Sequence, residues 1–292
     1  MSNIAIVVVY DYLRLDEKLI LEELKSRSVN YVTINAENLL FDVEAFVGNG
    51  TSIPFDGSVV LVRSVSHTRN TFVAYLFEEC GLQVINPYKS LVVGNNKFFT
   101  LIRLAKAGLP IPKTYLAFCE AKAREAYKLL GGGRVVVKPV SGSWGRMVSL
   151  VSTESELELL LRHRAKMENP VMKLHMLQEY VEKPQRDIRI IVVDGEAVAG
   201  IYRYAPSCEW RTNTARGGVA KPVKIDEELR ELCVKACEVL DAHYAGVDVV
   251  ESKEGYKILE VNVVPEFKNV ARVTGVNIAG KIVDMLVRMC RR

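Results

Sequence analysis

Gly246-Val247-Asp248-Val249-Val250 and Ile258-Leu259-Glu260-Val261-Asn262 are two apolar runs, each with a carboxylate at its centre. Lys253-Glu254-Gly255 between them is a turn signal, so the pair reads as a β-hairpin. With the hairpin centred on residue 254, Asp248 falls opposite Glu260. Asn262, two residues further on, shares their face because strand side chains alternate. Two carboxylates facing each other repel unless a cation lies between them. Three oxygen donors without His or Cys favour a hard cation such as Mg²⁺. The plain alternative is the solvated polar side of an edge hairpin, against which the flanking Val and Leu residues argue for burial on at least one face.

Upstream, Arg134-Val-Val-Val-Lys138-Pro139-Val140 places a lysine in an apolar strand. The loop Ser141-Gly142-Ser143-Trp144-Gly145-Arg146 follows, and a strand returns over 147–151. Small residues let backbone N–H groups approach a phosphate, which Lys138 could neutralise. This is not a Walker loop, since G-K-[ST] and a following helix are both missing. Alone, it is equally a hairpin with a flexible tip. Arg186, Arg189, Arg203, Arg211, Arg216, Lys221 and Lys224 fall in segment 183–224, which holds 8 basic and 4 acidic residues. Strand parity puts Asp187 and Arg189 on one face. Such arginines commonly snorkel on a surface. Beside a metal site and a glycine-rich loop they also suit phosphate clamping.

The first 85 residues alternate short apolar strands (4–9, 31–34, 59–62, 83–85) with helical patterns (16–26, 71–80), the signature of a parallel sheet covered by helices. No G-x-G-x-x-G follows the first strand, so dinucleotide binding has no support. A helix is expected over 95–109, a compact α+β unit over 114–181, and two hairpins and two helices in 187–292. The length of 292 residues fits roughly two domains. No apolar run approaches the ~18 residues of a membrane helix. Residues 4–9 read as a buried strand rather than a signal peptide. The six scattered Cys and four His form no disulfide framework or zinc pattern, as expected of reduced thiols in a cytoplasmic protein. The net charge of +4 divides unevenly, with 7 basic and 11 acidic residues in 1–96 against 32 and 24 in 97–292. The basic part favours anionic partners: nucleotide phosphates, nucleic acid or an acidic protein. Nucleic acid is the weakest of these, because no basic run is interleaved with aromatics.

Together, in order and spacing, these features resemble an ATP-grasp ligase over nearly the whole chain. The resemblance implies an α/β fold with an N-terminal domain (1–90), a linker helix and α+β nucleotide lid (91–181) and a C-terminal catalytic subdomain (182–292). It implies that Lys97 and Lys138 are nucleotide lysines and that Gly142, Ser143, Trp144 and Gly145 form the flap over the phosphates. Gln178, Glu179, Tyr180 and Val181 would form the adenine hinge, and Asp187 would meet the ribose. Arg189, Arg203 and Asn213 would approach phosphates. Asp248, Glu260 and Asn262 would hold Mg²⁺, as two ions. Lys138 and Arg203 would be the main catalytic side chains, and loss of Asp248 or Glu260 would abolish turnover with the fold intact.

Within that superfamily, Asp187-Ile188-Arg189, Trp210-Arg211-Thr212-Asn213 and Thr274-Gly275-Val276-Asn277-Ile278-Ala279-Gly280 resemble the RimK-like branch. Glu260-Val-Asn262-Val-Val-Pro265-Glu266-Phe267-Lys268 resembles most the LysX ligases of the carrier-protein route to lysine. These join 2-aminoadipate to the C-terminal glutamate side chain of a small acidic carrier, LysW; the ArgX relatives use glutamate for arginine synthesis. Thr214, Ala215, Glu266, Phe267, Lys268, Asn269 and Val270 are the expected amino-acid pocket, because their loops flank the proposed metal site. The resemblance also implies a cytoplasmic homo-oligomer (dimer or tetramer) without nucleic-acid or membrane partners. In this group the pair after Phe-Lys is Gly-Phe for glutamate and Asn followed by Thr or Ala for 2-aminoadipate. Asn269 fits the second type and Val270 departs from it, which leaves dual use open. Glutamylation of another protein tail, joining of small peptides and a non-catalytic nucleotide-binding module are the remaining alternatives.

Overall fold

The computed structural model describes residues 6–44, 58–142, 144–206, 210, 212 and 219–290. The apolar run Ile6–Tyr10 forms β1, in the middle of a parallel sheet with β2 (Tyr31–Asn35), β3 (Val59–Val62) and β4 (Gln83–Ile85), in the order β2-β1-β3-β4. Both central strands are buried on both faces, which is why they read as unbroken Val/Ile/Leu runs. Helix α1 (Leu15–Ser26) buries Ile20 and Leu24. Helix α2 spans His67–Glu79 and starts four residues earlier than the hydrophobic pattern predicts, because the Ser66 hydroxyl caps it by accepting from the Arg69 N–H.

The helix expected over 95–109 is present from Lys97, and a second helix that the hydrophobic pattern does not predict precedes it. Helix α3 (Tyr88–Gly94) ends before Asn96, whose side chain accepts from the N–H groups of Phe98 and Phe99 and starts α4 (Lys97–Lys106). Gly94 is a packing residue: a Cβ there would lie 2.5 Å from Val263 Cγ1.

The central unit is an antiparallel sheet in the order β5-β8-β6-β7, built from β5 (Thr114–Ala117), β6 (Val135–Lys138), β7 (Ser149–Val151) and β8 (His175–Glu179). Helices α5 (Glu120–Leu129) and α6 (Glu154–Ala165) cover it. Its core of Tyr127, Val135, Val137, Leu157, Leu161 and Leu177 is separate from the rest.

The last sheet runs β11-β10-β9-β12-β13, from β9 (Arg186–Val193), β10 (Glu196–Tyr204), β11 (Val219–Pro222), β12 (Tyr244–Ser252) and β13 (Gly255–Asn262). Helix α7 (Glu227–Val239) packs on β9, β10 and β12. The short helix α8 (Lys268–Thr274) and strand β11 add to the two hairpins and two helices expected here. Helix α9 (Ile278–Met289) packs against α1 and β9. Two continuous cores therefore join this sheet to the N-terminal one, since Val7, Val9, Val247 and Val249 share one and Ile6, Ile20, Ile191 and Ile282 the other. Among the described residues no helix is long and apolar enough to cross a membrane.

Candidate active site

Asp248 pairs with Glu260 and Gly246 with Asn262 across β12 and β13. The turn is tighter than the sequence suggests, with Ser252 opposite Gly255 and Val249 opposite Ile258. A register shift between Asp248 and Val249 takes up Leu259 as an extra residue and restores the carboxylate pairing. On the other side of β12, Arg189 of β9 lies opposite Asp248, and Asp187 lies opposite Arg203 of β10. The result is a row of charges of both signs running across four strands.

The row is densely paired. Both Asp248 oxygens accept from Arg189, with Nη2 to Oδ2 at 2.8 Å, and Arg203 Nη2 lies 3.0 Å from Oδ2. Arg203 donates to Asp187 through Nε and Nη2, both at 2.7 Å, and the Thr212 hydroxyl donates to the same carboxylate. Burial alone would raise the pKa of Asp248, but the two guanidiniums override it and hold the carboxyl at about 2. Burial would lower that of Arg203, yet Asp187 and Asp248 raise it. Gly246 lets these groups approach closely: a Cβ there would sit 3.0 Å from Pro265 Cβ and 3.3 Å from the Arg189 side chain, tight enough to push them apart. The Asn262 amide, with its nitrogen toward Glu260 (3.1 Å) and its oxygen toward Arg189 (3.2 Å), completes the face.

Lys97, the first residue of α4, donates to Glu260 Oε1 at 2.6 Å and to the Gly142 carbonyl at 2.8 Å. Lys138, the last residue of β6, donates to Gln178 Oε1 at 2.6 Å, and Gln178 donates in turn to Thr114. Burial pushes the Lys138 ammonium down to about 8. In the glycine-rich loop, Gly142, Trp144, Gly145 and Met147 all have positive φ, and Arg146 lies over the Trp144 ring at 4.6 Å.

One cavity of about 960 Å³ brings these groups together. Its walls include Lys97, Lys138, Gly142, Trp144 and Gly145, the segment from Gln178 to Val181, and Asp187, Arg189 and Arg203. Asp248, Glu260, Asn262, Glu266, Lys268, Asn269 and Val270 line it as well. Phe267 does not: its ring is fully buried beneath the Arg63 guanidinium, 5.8 Å away, so it supports the loop from behind. Ser143, Asn213, Thr214 and Ala215 lie outside the described residues. Sequence reasoning missed the contributions of the N-terminal domain. Arg14, Ser64, Val65 and His67 also line the cavity. They follow β1 and β3, and the carboxyl ends of parallel strands are where α/β sheets place ligands, which is the signal that could have found them.

The site offers hard oxygen donors facing a set of cations. Among the described residues no three His, Cys, Asp or Glu side chains are placed to hold a metal ion by themselves. A divalent ion would therefore rest on Asp248, Glu260 and the Asn262 amide, completed by phosphate oxygens. The donor chemistry fits Mg²⁺, and Asp248 is already ionised as a ligand must be.

A parallel domain, an antiparallel lid and a mixed-charge sheet closing on one crevice define an ATP-grasp enzyme, an ATP-dependent carboxylate–amine ligase. The chain belongs to the RimK-like ATP-grasp family: that domain matches residues 94–286, and a LysX preATP-grasp domain matches residues 6–93. It is 40% identical over 267 residues, 91% of this chain and 94% of the relative, to the α-aminoadipate–LysW ligase LysX of Saccharolobus solfataricus. The glutamate–LysW ligase ArgX of Sulfurisphaera tokodaii is 34% identical over 96% of this chain and 97% of its own. In fold, the chain resembles a RimK-domain ATP-grasp protein from Sphaerobacter thermophilus, with a TM-score of 0.77, 22% identity and coverage of 96% and 98% of the two chains.

Proposed function

We propose that this ligase joins the α-amino group of 2-aminoadipate to the side-chain carboxylate of the C-terminal glutamate of a small acidic LysW-like carrier, in lysine biosynthesis. The observation that carries this reading is Asn269 on the cavity wall, in the first turn of α8, at the position that sorts the two substrates in the family. The 40% identity to a LysX ligase supports it. Val270 favours a second reading, use of glutamate as well: it is 2% exposed, also lines the cavity, and is neither residue of the family pairs.

The residues support a two-step ligation. Gln178–Val181 would hold the adenine end, while Lys97, Lys138, Arg189 and Arg203 would hold the phosphates. The carrier carboxylate attacks the γ-phosphorus, the bond to the β-phosphate oxygen breaks, and ADP departs, leaving an acyl phosphate. The deprotonated α-amine attacks the acyl carbon, the C–O bond to phosphate breaks, and the departing phosphate takes the proton that the nitrogen loses, leaving the amide and inorganic phosphate. Mg²⁺ bound by Asp248, Glu260 and Asn262 would neutralise charge on the transferring phosphoryl group. No protein nucleophile is needed, so the side chains act by positioning and electrostatics. The test is phosphate release by the purified protein with Mg-ATP, carrier, and 2-aminoadipate or glutamate in turn. Release with 2-aminoadipate at the higher kcat/KM is expected; release only with a different carboxylate acceptor would overturn the reading.

A further inference from the structure

Two polar side chains of the N-terminal domain reach into the base of the carboxylate hairpin. Arg63, directly after β3, is fully buried. Its Nη1 donates to the Tyr244 hydroxyl at 2.7 Å and to the Pro265 carbonyl at 2.8 Å. Its Nε and Nη2 donate to Glu17 at 3.0 and 2.8 Å. Asn86, directly after β4 and equally buried, donates through Nδ2 to the carbonyls of Tyr244 (2.7 Å) and Val263 (2.6 Å). Its Oδ1 accepts from the Tyr244 N–H at 3.2 Å.

The placement of these contacts is specific. Tyr244 opens β12, four residues before Asp248. Val263 and Pro265 follow β13, one and three residues after Asn262. Arg63 and Asn86 therefore grip both strands at the open end of the hairpin, next to the metal-binding face and away from its turn. A buried charge of this kind is weak evidence for stability, since well-packed apolar residues commonly do as well or better. What directional hydrogen bonds add is a defined geometry.

We propose that Arg63 and Asn86 are positioning residues that set the separation of β12 and β13 and so place Asp248, Glu260 and Asn262 against the phosphates. Neither side chain lines the cavity, so each would act on the metal site from behind it. The inference rests on the metal assignment made above, and its test separates the two. ADP affinity is measured with and without Mg²⁺ for the wild type, Arg63→Lys, Asn86→Ala and Glu260→Ala. Arg63→Lys and Asn86→Ala are expected to keep the metal-free affinity and lose about tenfold of the gain conferred by Mg²⁺, the lower end for residues that orient metal ligands. Their kcat should fall with it. Full retention of that gain, or equal loss of both affinities, overturns the positioning role. A Glu260→Ala protein that keeps the gain overturns the metal assignment instead. Should neither positioning variant fold, Tyr244→Phe removes one hydroxyl only; a smaller loss in the same sense is expected, and an unchanged gain overturns the proposal.

Discussion

At the residue scale the two carboxylates of the hairpin are not equivalent. Glu260 faces Lys97 with 27% of its side chain exposed. Glu260→Ala should keep its fold and lose at least about 10²-fold in kcat, as when one well-placed electrostatic group is removed; near-normal turnover of the folded variant would refute the metal role. Asp248 is buried between two guanidiniums, so its loss should lower stability as well as turnover. Asp248→Ala would strand Arg189, while Arg203 keeps Asp187, at a cost of about 3–5 kcal/mol, readable as a lower midpoint in urea. Lys138 sets a pH dependence of its own. With its pKa near 8, the ammonium is charged below pH 8 and is lost as pH rises through it. ADP affinity should therefore be flat from pH 6.5 to 7.5 and fall above 8, while Lys138→Arg, permanently charged, should lack the fall. An identical fall in both proteins would assign it to another group.

At the scale of elements, the proposed selector of substrate is the first turn of α8. Replacing Asn269-Val270 by Gly-Phe should move the kcat/KM ratio toward glutamate. A one-methylene difference is generally worth ~1–3 kcal/mol, or up to about 200-fold; an unmoved ratio would mean that the pair is not the selector. The elements that carry the chemistry were legible in sequence because each has a local cause: apolar strands with a charge at fixed parity, a glycine-rich return, a turn. The pairing of Asp248 with Glu260 was reached from a hairpin centre that is not the real one, and it holds because the Leu259 irregularity restores the register. Helix α3 was missed because it is short, carries two β-branched valines and has no side-chain cap at Pro87. Arg63 and Asn86 carry no local signal at all, as their partners lie 158 to 202 residues away for every bond to the hairpin.

Over the whole molecule, charge separates from mechanism. The mild net charge of +4 conceals +8 on residues 97–292, of which segment 183–224 contributes +4. Much of this charge is already committed: Arg186 pairs with Glu251, Arg189 with Asp248, and Arg203 with Asp187 and Asp248. The acidic tail of the proposed carrier would therefore meet a long-range field rather than a row of free cations. Such a field raises the association rate more than it slows dissociation, and salt screens it over about 8 Å at 0.15 M. Carrier kon should fall as NaCl rises from 0.05 to 0.5 M, with koff nearly constant, in stopped-flow or surface-binding measurements. If kon is insensitive to salt, the charge asymmetry serves the nucleotide alone and the carrier is recognised by shape at the cavity mouth.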